Sequence, residues 1–198
     1  EVHSPYETTG VTVGDRTVPL EIDTTVHLAY ALNQEFIWRV GRLQFLSPRE
    51  RIPSGVHLGE PYRPGRIPVV FVHGTFSSPV KWAEMVNTLG ADFLLRQRYQ
   101  FWTCIYNTGN PVSYSAVRLR EALVDKVREL DPEGRDPALR QMIVIGHSQG
   151  GLLTKLTATD TGDRLWRAFS TNRLEDLGLD EPRQAEIRRY VFFTALPF

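Results

Sequence analysis

Residues 142–151 read Met-Ile-Val-Ile-Gly-His-Ser-Gln-Gly-Gly, an apolar run that enters Gly146-x-Ser148-x-Gly150. The four residues before Gly146 are apolar, β-branched ones among them, as a buried parallel strand requires. Leu152, Leu153, Leu156 and Thr157 continue at helical spacing, with Gly151 read as allowing close helix–strand packing. Strand, tight turn and helix with a serine at the apex make the pattern of a nucleophile elbow. Gly146 and Gly150 are needed because a Cβ at either would collide with the neighbouring strand or helix. The turn lifts the Ser148 hydroxyl above the sheet edge. The N–H of Gln149 then opens a helix, where it can face an oxyanion. The bland alternative is a glycine-rich turn between a core strand and a helix, with an incidental serine.

Upstream, residues 67–76 read Ile-Pro-Val-Val-Phe-Val-His-Gly-Thr-Phe. A second apolar strand ends in a turn, and Ser77-Ser78-Pro79 starts a helix through Trp82, Met85, Val86 and Leu89. Gly74 lets the backbone bend at this turn. His73 is read as supporting this loop through its ring, the alternative being a catalytic base. His147 is read as a packing and orienting residue, because its side chain leaves the turn on a different side from that of Ser148.

Two such strand–turn–helix units in this order resemble the α/β-hydrolase superfamily, and within it a bacterial lipase/esterase-like branch. The resemblance rests on Glu60-Pro-Tyr62, VVFVHGTFSSP (69–79), QFWTCIYNTG (100–109) and IGHSQGGLL (145–153). It covers residues 60–160 well and the flanks loosely. It implies an α/β fold, a mostly parallel sheet flanked by helices, of which this chain holds the N-terminal portion. It also implies serine chemistry on an ester small molecule or lipid. Ser148 would be the nucleophile, and the N–H groups of Gln149 and Thr75 the oxyanion hole. No cofactor is needed. Thioester, amide or lactone hydrolysis and acyl transfer are alternative chemistries on the same scaffold.

The rest of the chain agrees with this organisation. Residues 11–26 alternate around Gly14-Asp15 and predict a short antiparallel hairpin. Residues 27–46 predict a helix, and 47–67, rich in proline and glycine, a loop with room for one short strand. Residues 99–106 form a third apolar strand. Leu119, Leu123, Val127 and Leu130 mark 113–130 as an amphipathic helix ended by Asp131-Pro-Glu-Gly134. Strand–helix alternation is the α/β signature. We expect a single domain over 1–198: an N-terminal region (1–60), the catalytic core (67–160), and a helical flap or crossover (161–198).

A chain of 198 residues can bury a real core. With 23 basic and 23 acidic side chains it has no electrostatic bias toward nucleic acid or anionic membrane. Its only cysteine, Cys104, sits mid-strand and reads as a buried inert thiol. No apolar run approaches ~18 residues, so no transmembrane segment is expected. The five histidines show no metal-ligand spacing. The compartment stays open between the cytoplasm and export with a leader.

In the superfamily the triad runs Ser, then Asp or Glu, then His. After Ser148 come Asp160, Asp163, Glu175, Asp176, Asp180, Glu181 and Glu186, but no histidine. Without a base, a serine hydroxyl is a poor nucleophile at neutral pH. Three explanations fit. The acid and histidine loops lie in a missing C-terminal part of the hydrolase domain. Or the chain is a split or non-catalytic binding module. Or the base is His73 or His57. With the final apolar run unfinished, the elbow strand is expected at an unpaired sheet edge.

Overall fold

The computed structural model describes residues 3–4, 7–26, 29–30, 33 and 54–198. Strands β1 (Gly10–Val13) and β2 (Arg16–Pro19) form the antiparallel hairpin expected around Gly14-Asp15, but it closes at Pro19 and stands as a sheet of its own. The helix expected over 27–46 lies outside the described residues, apart from isolated positions. β3 (Gly55–Leu58) is the short strand for which the proline-rich stretch left room.

The main sheet orders β3, β5 (Tyr99–Ile105), β4 (Ile67–Val72) and β6 (Ile143–Gly146). β4 lies parallel to both β5 and β6, and β3 pairs antiparallel with β5. Every residue of β4 is buried, which is what its unbroken apolar run requires of a central strand. Val70 and Val72 face a cluster that includes Trp102, Leu119, Leu123, Leu139 and Leu153. Val69 and Phe71 face Trp82 on the other side, with the Phe71 and Trp82 ring centroids 5.1 Å apart. Burial of each such side chain contributes roughly 1.5–3 kcal/mol. Cys104 is buried within β5, and burial pushes its thiol up to about 12, so it is inert at neutral pH.

A tight 3-10 turn (Pro79–Trp82) leads into α1 (Ala83–Ala91), followed by α2 (Phe93–Arg98). α3 (Val112–Leu130) buries Leu119 and Leu123 on its apolar stripe, with Val127 and Leu130 half-buried beside them. The helix stops at Asp131, whose N–H donates to Val127 O at 2.9 Å. The Asp131 carboxylate accepts from the Arg135 and Asp136 N–H groups, closing the turn. Asp136 in turn caps the next 3-10 turn and receives the Tyr62 hydroxyl at 2.5 Å.

α4 (Gln149–Thr157) follows β6 directly. A Cβ on Gly150 would stand 2.3 Å from Val72 O and 2.5 Å from His73 O; one on Gly146 would stand 2.3 Å from Gly150 O. Gly150 therefore seats the helix on the end of β4. Gly151 has no such task, for its Cβ would lie 3.5 Å from Gly146 O, an ordinary contact. The expectation that Gly151 permits the close packing is corrected in favour of its neighbour. β6 is the outer strand among the described residues, as expected, and Ile143 is 41% exposed. The strand is therefore apolar in composition without being fully buried.

Beyond α4 come the single-turn α5 (Arg164–Arg167), a 3-10 turn (Leu174–Leu177) and α6 (Glu181–Val191). The final stretch is strapped to the far end of α4. Thr161 N–H donates to Phe193 O and Leu196 N–H to Thr157 O, both at 2.8 Å. The Arg120 guanidinium donates to Leu156 O and Thr194 O. These anchors sit about 13 Å along α4 from Ser148. Among the described residues no helix is long and apolar enough to cross a membrane, and no cluster of candidate metal ligands occurs.

This packing predicts opposite outcomes for adjacent glycines. Gly150→Val should cost at least about 3 kcal/mol through overpacking, whereas Gly151→Ala should be neutral or stabilise by up to about 1 kcal/mol. Denaturant melts of the two variants check this, and equal effects would contradict the seating described.

Candidate active site

Ser148 sits between β6 and α4 with φ 54° and ψ −123°. Among the described non-glycine residues only Ser148 and Phe76 have positive φ. Such a conformation costs about 1–3 kcal/mol and persists only where surrounding structure enforces it. Here His147 N–H donates to Val72 O at 3.1 Å, and Gly150 N–H to His147 O at 2.9 Å. The turn is thus bound to β4 and to itself, and the Gly146–Gly150 approach leaves no room to relax. Ser148 is exposed, and its hydroxyl has no hydrogen-bond partner among the described residues.

The turn after β4 lies against the elbow. A Cβ on Gly74 would stand 2.9 Å from Ser148 Cβ and 3.0 Å from His147 O, so only glycine fits there. Thr75 Oγ1 donates to Gln149 Oε1 at 3.0 Å, linking the two turns through side chains. No backbone acceptor among the described residues takes the Thr75 N–H. Gln149, first in α4, has an N–H without an intrahelical partner. Two donors thus stand at adjoining turns beside Ser148.

His73 is buried, and its ring stacks on Tyr106 with centroids 4.6 Å apart. Its Nδ1 lies 3.1 Å from Gly74 O, and Tyr106 Oη donates to His73 O at 2.7 Å. Burial lowers the imidazole to about 4, the bond to Gly74 O opposing that shift, so the ring is neutral at pH 7. Phe76 N–H donates to the buried Thr108 hydroxyl at 3.3 Å, and Asn107 Oδ1 accepts the Gly109 N–H. The loop after β5 therefore braces the loop after β4. Sequence reading singled out 100–109 but gave Tyr106 and Thr108 no task; a hydroxyl reaching a carbonyl two strands' loops away leaves no local pattern.

The structure brings Ser148, Gln149, Thr75, Gly74 and both elbow glycines together, but no base with them. The His73 Nε2 has no partner among the described residues, the Ser148 hydroxyl included. His147 turns toward Gly74 and lines a cleft of about 450 Å³ with Trp82, Met85 and Leu89 that Ser148 does not line. His57 is on β3, three inter-strand spacings or about 14 Å from β6. Four of the carboxylates after Ser148 have local partners. Asp160 accepts the Ala195 N–H, Asp163 pairs with Arg167, Glu175 with Arg188, and Asp180 caps α6. A larger cavity of about 550 Å³, between Trp166, Asn172, Arg173 and Phe192, is likewise not lined by Ser148. Backbone geometry, not cavity size, locates the candidate site.

A family model described as the alpha/beta hydrolase family matches residues 69–191. Comparison with curated proteins and with solved structures gave no match. The family match runs from β4 to the last turn of α6, takes in both turns that meet at Ser148, and spans well over half of the sequence. The chain belongs to the alpha/beta hydrolase family.

Proposed function

We propose that this chain supplies the nucleophile and oxyanion hole of a serine hydrolase that cleaves carboxylic esters, in a lipase/esterase-like branch of the family. The observation that carries the reading is Ser148 held at positive φ with its hydroxyl in solvent, beside the N–H groups of Thr75 and Gln149. In this reading Ser148 Oγ attacks the ester carbonyl carbon while its proton passes to a histidine. The carbonyl oxygen, now an oxyanion, accepts from Thr75 and Gln149. The intermediate collapses, the C–O bond to the alcohol breaks, and the alcohol leaves with the proton. Water then releases the acid from the acyl-serine by the same steps. Each oxyanion donor is worth roughly 10²–10³-fold in rate.

In this reading the histidine is none of His73, His147 and His57, since none of these is bonded to Ser148. That same separation supports the second reading, a non-catalytic module of hydrolase fold. Against it stands the upkeep of a strained serine with both donors beside it, which a binding surface has no chemical need for. The geometry serves any acyl carbon, so thioester, amide and lactone cleavage and acyl transfer are open to the same residues.

Ser148→Ala should abolish ester hydrolysis by the full-length protein while changing stability by less than about 1 kcal/mol, because the hydroxyl touches no core atom. Turnover of a short-chain p-nitrophenyl ester that survives the change would place the nucleophile elsewhere.

Without a histidine supplied from elsewhere, these 198 residues should show no serine-dependent turnover, since loss of general-base help removes roughly 10²–10⁴-fold or more. Robust activity that vanishes in Ser148→Ala would make a histidine of this chain the base, and His73→Ala would be the next variant to assay.

The buried neutral His73 also sets a pH dependence. The folded ring takes its proton only near 4, the unfolded ring near its ordinary 6.5. Between those values the unfolded state binds the extra proton, so stability falls as the pH drops from 6.5 toward 4. The loss is on the order of 3 kcal/mol. A denaturation midpoint that stays level across that window would contradict the buried neutral ring.

A further inference from the structure

Thr75 follows Gly74 in sequence and Gln149 follows Ser148, and a Cβ on Gly74 would stand 2.9 Å from Ser148 Cβ. The residues that carry the two N–H donors therefore leave a common point of contact. Their side chains also bond to each other, Thr75 Oγ1 donating to Gln149 Oε1 at 3.0 Å across 74 positions of sequence. An amide oxygen only accepts, so this bond commits the single proton of the Thr75 hydroxyl. The hydroxyl has none left for an oxyanion, and what it supplies is a hold on Gln149. Other bonds brace the turns elsewhere. The elbow is bound to β4 through His147 N–H and Val72 O, and the loop after β4 to the loop after β5 through Phe76 N–H and Thr108 Oγ1. Neither of these runs from Thr75 to Gln149, so neither sets the spacing of the two donors. Thr75 is exposed and Gln149 half-buried, and one hydrogen bond in such a place adds little to folding.

We infer that the Thr75–Gln149 side-chain bond is a tie that holds the two oxyanion donors at their working separation, which makes both side chains positioning residues for ester cleavage. This rests on the reading of Ser148 as the nucleophile. Donors act on an oxyanion only from about 2.7–3.1 Å, so a tie between the residues that carry them governs whether both reach one oxygen together. Their grip is strongest once charge has moved onto that oxygen. Loosening them costs the chemical step and leaves binding of the ester as it was.

The test is a double-mutant cycle on the full-length protein with p-nitrophenyl butyrate. Thr75→Val keeps the shape and removes the hydroxyl; Gln149→Met keeps the length and removes the amide. Both retain the backbone N–H. Each should lower kcat by roughly tenfold, the worth of one hydrogen bond, with KM and melting temperature unchanged. The double variant should be no slower than either single one, because the same bond is lost. Thr75→Ser, which retains the hydroxyl, should run at the parent rate. Losses that multiply overturn the inference. So does a slow Thr75→Val beside a Gln149→Met at the parent rate, which would make the hydroxyl a donor in its own right. A second readout needs no nucleophile: the order of the Thr75 and Gln149 amides by nitrogen-15 relaxation in a Ser148→Ala background. Thr75→Val should take the Gln149 N–H from an order parameter of about 0.85 toward about 0.6, and Gln149→Met should do the same to the Thr75 N–H. Unchanged order in the opposite turn overturns the tie even if no ester is cleaved. Loosened amides in a protein whose parent shows no serine-dependent turnover would instead count against the nucleophile reading alone.

Discussion

The first turn of α4 lies directly on the carboxyl end of β4, where the Cα of Gly150 faces the carbonyls of Val72 and His73 with no space for a side-chain atom. The other features of the site depend on that approach. It fixes where the helix begins, and so forces the residue before it, Ser148, into a backbone conformation that L-amino acids avoid. It also brings the loop after β4 under the elbow, where Gly74 meets Ser148 Cβ. Two turns that are distant in sequence become one surface, and the Thr75–Gln149 side-chain bond closes it.

The strain is affordable because the support around it is apolar and rigid. β4 is buried on both faces, and the loop that leaves it is held by Tyr106 and Thr108 from the next strand. A charged His73 would disrupt this packing, and burial keeps it neutral. At these two turns Thr75, Phe76, His147 and Ser148 are exposed to solvent. A hydroxyl nucleophile next to fixed N–H dipoles needs no reorganisation as charge develops on an attacked carbonyl oxygen.

Much of this was legible in the sequence. The runs before Gly146 and His73 declare strands by their unbroken apolar character, and the stripe from Leu119 to Leu130 declares a helix. Gly146 and Gly150 were read from the steric demands of the turn, but Gly74 was read only as a bend, whereas the structure shows that a Cβ there would strike Ser148. Other features were not legible. Which of two adjacent glycines touches β4 depends on the helix phase, and spacing assigned part of that task to Gly151 when Gly150 performs it. The burial of β6 was overstated because composition reports what a strand tolerates, not whether a neighbour flanks it. Tyr106, Thr108 and Phe76 escaped notice because their tasks arise from contacts between loops of different strands. The carboxylates after Ser148 looked available by their order in the chain, yet Asp160, Asp163, Glu175 and Asp180 are occupied by local ion pairs, caps and strap contacts.

The central claim is that this backbone arrangement exists to present Ser148 as a nucleophile. The most direct measurement is to treat the full-length protein with a fluorophosphonate, digest it with trypsin and locate the adduct by tandem mass spectrometry. The account predicts the added mass on the peptide from Gln141 to Lys155, at Ser148. An adduct on a different residue, or an unmodified peptide in a preparation that hydrolyses esters, would contradict it.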